Sequence, residues 1–102
     1  MVYKLRFVQY FDKCDSDAFL TLEKSFIKLE EKTPEMKMGR RYIPVISREP
    51  TNAMIWEAEF DSMEDAVATL KIIEDNPEHD DLLNEQIKYM RDTYVEIYKE
   101  LI

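Results

Sequence analysis

The stretch Ala53 to Leu70, AMIWEAEFDSMEDAVATL, changes its hydrophobic period in mid-run, and no single element of secondary structure accommodates that change. Met54, Trp56, Ala58 and Phe60 alternate with Ile55, Glu57 and Glu59, the two-residue period of a strand whose faces meet different environments. Asp61 breaks the run. Ser62 with Asp65 supplies an N-cap and a capping-box-like acid, and Ala66, Val67 and Leu70 continue at helical spacing. A strand therefore hands over to a helix within a few residues. One strand face needs a core, and the face carrying Glu57 and Glu59 needs water, countercharges or a polar cavity.

The chain of 102 residues predicts one domain, residues 1–102, with room for a single two-layer core. An apolar fraction of 45% with 12% aromatics argues for a packed globule and against disorder. Lys and Arg number 14 against 22 Asp and Glu, a net charge of −8 that repels phosphate backbones and excludes nucleic acid as an expected partner. The one cysteine, Cys14, excludes an intramolecular disulfide framework and a cysteine-based zinc cage. Acidic neighbours Asp12, Asp15 and Asp17 argue against a reactive thiolate there. The single glycine, Gly39, rules out phosphate-binding loops and dinucleotide fingerprints. No basic-then-apolar leader or membrane-length apolar run is present, so the expectation is a cytoplasmic protein with no membrane partner.

Tyr3 to Phe11 predicts a first strand with Tyr3, Leu5, Phe7 and Phe11 on one face and Val2, Lys4, Arg6, Val8 and Tyr10 on the other. Caps at Asp15 to Asp17 precede an amphipathic helix whose stripe includes Phe19, Leu22, Phe26 and Leu29 and which ends near Lys32. Glu23, Lys24, Lys28 and Glu31 are expected on its solvated face. Gly39 to Ile46 predicts a second strand that Pro44 confines to an edge or a bulge. After the Ala53 to Leu70 unit, Asn76-Pro77 restarts a helix carrying His79, Leu83, Gln86, Ile87 and Met90 to about Asp92. Tyr94 to Leu101 alternates β-branched and aromatic residues and predicts a last strand.

The order strand, helix, strand, strand, helix in two pieces, strand is the split βαβ of α+β ferredoxin-like folds, with helices on one face of an antiparallel four-stranded sheet. Its strand order, 4-1-3-2, places Lys4 and Arg6 between Glu57 and Glu59 on one side and Glu96 on the other, cross-strand pairs of about 0.2–1 kcal/mol each. The sheet face away from the helices then carries Lys4, Arg6, Val8, Glu57, Glu59, Glu96, Tyr94 and Tyr98. That mixture is too apolar for a fully solvated face and too charged for a dry core, and it fits a semi-polar homodimer interface. The third strand running into DSMEDAVATL, the interrupted helix with Asn76-Pro77-Glu78-His79 and the last strand YVEIYKEL resemble the dimeric α+β barrel superfamily, which includes antibiotic-biosynthesis-type monooxygenases and NIPSNAP-like proteins. The resemblance implies two sheets packed face to face across a twofold axis and a ligand cavity in each monomer between sheet and helices. It does not fix an activity.

His79, the only histidine, lies on the inward stripe as a candidate base or ligand anchor. The plainer alternative is a hydrogen-bonded histidine near a helix start. Glu78, Asp80 and Asp81 are better explained by the helix dipole than by a metal, and none is expected. Trp56, Phe7 and Gln9 face the same space, Gln9 as a polar amide in an apolar row that needs a partner. Arg40 and Arg41, with Tyr42, are candidates to anchor a carboxylate or phenolate at the cavity mouth, or to form salt bridges. Some superfamily monooxygenases need no cofactor, because the substrate itself reduces oxygen and the protein supplies a base, a donor and a dry pocket. Those that degrade haem use an Asn on the first strand, a Trp and a His, and Gln9 departs from that pattern. The expectation is a homodimer that binds a small, partly aromatic molecule without a cofactor, with the chemistry of a cofactor-independent monooxygenase as its furthest extension. The rival is a non-catalytic dimeric interaction protein with a packed interior.

Overall fold

Tyr3–Phe11 forms β1, at the centre of an antiparallel sheet. The computed structural model describes residues Met1 to Ile102. A short 3-10 turn at Lys13–Asp15 leads into α1, Ser16–Lys32. The edge strand β2, Arg40–Tyr42, precedes β3, Ala53–Phe60. Two helices follow, α2 at Met63–Asp75 and α3 at Pro77–Gln86, then a 3-10 turn at Ile87–Tyr89 and β4, Met90–Lys99. The sheet order β2-β3-β1-β4 is the expected one.

The register explains why this order suits these residues. Arg6 stands opposite Glu57 on β3 and Glu96 on β4, and Lys4 opposite Glu59 and Tyr98. Arg6 donates from Nε to Glu57 Oε1 at 2.8 Å, Lys4 Nζ lies 3.7 Å from Glu57 Oε2, and the Arg6 guanidinium sits 5.3 Å from the Tyr98 ring centroid. On the opposite face, Leu5, Met54, Trp56, Ala58 and Phe60 pack with Phe11, Phe19 and Ala66 as the core. The principal extents of 40 × 34 × 19 Å are those of one sheet covered by one helical layer.

Caps set the helix starts. Ser62 Oγ accepts from the Asp65 amide at 3.1 Å, and Asn76 Oδ1 accepts from the His79 amide at 2.9 Å, with Pro77 in the first turn of α3.

The structure departs from the sequence expectations at several elements. The second strand stops at Tyr42 rather than Ile46. Pro44 is buried, and the Ile43 to Asn52 connection leaves the sheet edge to bring Glu49 to the hydroxyls of Tyr10 and Tyr94 on the face away from the helices. Val67 is exposed because the inward stripe of α2 runs through Ala66 and Thr69 instead. The last helix ends at Gln86, not near Asp92, so Ile87 is exposed and Met90 opens a strand four residues earlier than expected. Pairing with β1 extends to Met90 opposite Phe11, and this ladder overrides the helical spacing. Leu101 lies beyond the strand and is exposed.

Candidate functional site

Between the sheet and the helices lies a cavity of about 340 Å³. Phe7 and Gln9 on β1 and Trp56 on β3 form its floor, and His79, Leu83 and Gln86 on α3 with Phe26 on α1 form its roof. Alternation along β1 sends Leu5, Phe7, Gln9 and Phe11 to one face, yet only Leu5 and Phe11 are buried, because the cavity lies under the two residues between them. The Phe7 and Trp56 rings meet at 5.0 Å between centroids, tilted by 40°. The His79 imidazole lies 5.0 Å from the Phe26 ring centroid.

One wall is a network of buried charge. Arg41 donates from Nε to Glu23 Oε2 at 2.5 Å and from Nη1 to Glu30 Oε1 at 3.2 Å, with Nη2 on Glu30 Oε2. Glu30 Oε1 also accepts from Trp56 Nε1 at 3.2 Å and from the Gly39 amide at 3.1 Å. Gln86 Nε2 donates to Glu23 Oε1 at 3.0 Å. A single guanidinium is thus shared between two carboxylates, and every carboxylate oxygen of the pair accepts at least one hydrogen bond. Burial acts against the charge of Arg41, but its bonds to Glu30 and Glu23 outweigh it and raise its pKa.

His79 is pushed below the usual imidazole range, chiefly by burial, with the nearby Asp80 and Glu30 charges opposing. The ring is therefore neutral at pH 7, able to accept a proton. Its Nδ1 is buried without a hydrogen-bond partner, and so is Gln86 Oε1.

Of the residues expected at the site, Phe7, Gln9, Trp56, Arg41 and His79 line this one cavity and Tyr42 does not. Tyr42 pairs with Ile55 while Arg41 pairs with Trp56, so alternation turns Tyr42 to the opposite face. Arg41 is not free to anchor an anion, since both its edges are held by acids. Glu23, expected in solvent, is 6% exposed. The signal that locates it is the spacing Phe19, Glu23, Phe26, Glu30, which is a single helical stripe carrying two acids. Gln86 was on the inward stripe without an assigned role.

No group of His, Cys, Asp or Glu is arranged to hold a metal ion. Haem does not fit these residues. Glu23, Glu30, Glu74 and Asp80 outnumber Lys37 and Arg41 around the cavity and repel a ring that carries propionates.

The interface candidates Lys4, Arg6, Glu57, Glu59, Glu96 and Tyr98 share the sheet face away from the helices. Val8 shares it too but is 1% exposed within the single chain, leaving almost no area for a partner. On that face Tyr94 and Tyr10 both donate to Glu49, and their hydroxyls lie 3.4 Å apart. These bonds raise both phenols and lower Glu49, whose charge they stabilise.

A four-stranded antiparallel sheet in this order, with its helices on one face, defines a ferredoxin-like α+β protein with an open cavity between sheet and helices. Its structural neighbours are NIPSNAP family and antibiotic biosynthesis monooxygenase proteins, the groups whose resemblance the sequence suggested. A NIPSNAP family protein from Agrobacterium tumefaciens superimposes with a TM-score of 0.78 at 9% identity, covering 97% of this chain and 92% of that one. An antibiotic biosynthesis monooxygenase superimposes with a TM-score of 0.74 at 12% identity, covering 98% and 99%. A protein of unknown function from Bacteroides fragilis, described as dimeric and ferredoxin-like, gives 0.62 at 17% identity, covering 97% and 96%. These superpositions establish a shared fold. No family model and no curated protein matches the sequence. No helix is long and apolar enough to cross a membrane.

Proposed function

We propose that this protein is a homodimer that binds a small, partly aromatic molecule between its sheet and its helices. The observation that carries this reading is an aromatic-lined cavity of about 340 Å³ into whose lining two unpartnered polar groups, His79 Nδ1 and Gln86 Oε1, are built. A packed interior would fill that space, so the cavity favours binding over the rival of a purely structural dimer.

Trp56 and Phe7 act as walls, Gln9 as an orienting amide and His79 as the polar anchor. The imidazole, neutral at pH 7, is the candidate proton acceptor of the site. Oxygenation of such a molecule without a cofactor, the molecule itself supplying the electrons to oxygen, is the furthest extension of this reading. The sheet face carrying Lys4, Arg6, Glu57, Glu59, Glu96 and Tyr98 is the dimer surface of this reading, and a neighbour described as dimeric supports the dimer itself.

A thermal-shift screen with quinols and flavonoids tests the binding role. Stabilisation by one class, lost in His79→Ala and Gln9→Ala variants that retain the native circular dichroism, is the expected result. Silence from both classes removes the reading.

A further inference from the structure

The polar groups around the cavity are unequal in kind, and this inequality selects a ligand; the inference rests on the binding role proposed above. Gln86 is 0% exposed. Its Nε2 donates to Glu23 Oε1 at 3.0 Å and to the Phe19 carbonyl at 3.4 Å. Both partners are acceptors, so the amide cannot be reversed, and Oε1 is the atom left over. A buried carbonyl with no donor is an unfavourable arrangement that a ligand N–H or O–H relieves.

Charge points the same way. The Arg41 guanidinium is shared between Glu23 and Glu30, so that wall keeps an excess negative charge. Glu74 and Asp80 add two more carboxylates to the lining. Lys37 also borders the cavity, but its ammonium is held 5.3 Å from the Phe60 ring centroid. Phe7, Phe26 and Trp56 contribute aromatic surface, which attracts cations at its faces.

We infer that the cavity takes aromatic molecules bearing a donor nitrogen, above all protonated aromatic amines, and rejects aromatic carboxylates. The surplus acids favour the ligand's charge, the rings of Phe7 and Trp56 hold its aromatic part, and Gln86 Oε1 receives its N–H once the side chains that cover that atom move aside.

Calorimetric titration of the full chain at pH 7 with naphthylethylamine, naphthylethanol and naphthylpropionate varies only the group at the end of a common arm. The amine is expected to bind tightest and the acid at least about tenfold more weakly, with the alcohol between. Gln86→Met removes the acceptor and lowers amine affinity. The pair Glu74→Gln and Asp80→Asn, both at exposed positions, shrinks the preference of amine over acid without touching the core, which keeps the test open if Gln86→Met does not fold. An acid that binds as tightly as the amine overturns the inference, and with quinol or flavonoid hits in hand it leaves the binding role standing. Amine binding untouched by either variant places the ligand elsewhere and also overturns it. No binding by any of the three overturns the inference, and absence of quinol and flavonoid hits as well removes the cavity reading with it.

Discussion

Gly39 has no positive φ, so its backbone does not require glycine; its missing side chain does. A Cβ there would stand 1.9 Å from Trp56 Cε2 and 2.0 Å from Nε1, while the indole is tethered to Glu30. Gly39→Ala must therefore displace the cavity floor, and it should cost about 1–3 kcal/mol, as overpacked cores do. Urea unfolding followed by Trp56 emission reads both effects, since Trp56 is the only tryptophan. An unchanged midpoint and spectrum would show that the indole moves aside freely. Arg41 carries the opposite risk. Arg41→Met leaves Glu23 and Glu30 buried without a countercharge, at a cost of about 3–5 kcal/mol. Adding Glu30→Gln to that variant should restore part of the loss in the same unfolding assay, and no restoration would refute the charge argument. His79 gives a pH dependence. Its pKa in the folded state lies below the ordinary imidazole value of about 6.5 because burial disfavours the cation. The unfolded chain then binds the proton first. The stability that neutral His79 contributes is complete above about pH 6.5 and is lost as the pH falls through the depressed folded value. A His79→Gln variant should lose less stability than the wild type between pH 7.5 and 5.5, and parallel curves would exclude the effect. Among these residues Trp56 and His79 were legible as site candidates from their facing positions. Glu23 was not, because lysines and glutamates on a helix ordinarily mark the solvated side, and its partner Arg41 lies 18 positions away in sequence.

At the scale of elements, short-range signals transferred well and boundaries set by pairing did not. The change of period at Asp61 located both β3 and α2, because alternation and capping are written in adjacent residues. The opposite charges on Lys4, Arg6, Glu57, Glu59 and Glu96 were enough to check the strand order. The start of β4 was not legible. Met90 continues the helical spacing of His79, Leu83 and Gln86, and only the ladder to β1 draws it into the sheet. The second strand was overestimated for the same reason: Ile43, Val45 and Ile46 have strand-forming side chains, but no neighbouring strand pairs with them, and Val45 and Ile46 remain 89% and 98% exposed. The break between α2 and α3 is where an element-scale prediction belongs. Asn76 ends one helix and caps the next through the His79 amide, so it also fixes the helical turn that carries the candidate base. Asn76→Ala should destabilise the protein by about 0.5–2 kcal/mol and increase hydrogen exchange at the start of α3 ahead of the sheet. Uniform exchange across the chain would mean that the cap has no local role.

At the scale of the molecule, a short-range attraction and a long-range repulsion compete across the proposed dimer surface. The sheet face away from the helices presents Arg6 stacked on Tyr98 and bonded to Glu57, so its most buried charges are already paired within one chain. What remains to meet a partner is the aromatic surface of Tyr42 and Tyr98 with a polar surround. Each copy nevertheless carries a net charge of −8. Two such bodies repel at separations longer than the contacts that would hold them. Salt screens the repulsion, with a Debye length of about 30 Å at 0.01 M and about 8 Å at 0.15 M, while contacts that exclude water are affected much less. Association should therefore strengthen as salt is raised from about 0.01 to 0.15 M, the reverse of what intermolecular ion pairs between Lys4 or Arg6 and the partner's acids would give. Tyr98→Glu adds charge on the edge strand β4 of that face and should shift the equilibrium to monomer. Light scattering on a sizing column across a dilution series measures both. A dimer that weakens with salt would mean that charge pairs between copies hold it together. A monomer at every salt and concentration would mean that Tyr98 and its neighbours are a solvated face, and that the cavity works within a single chain.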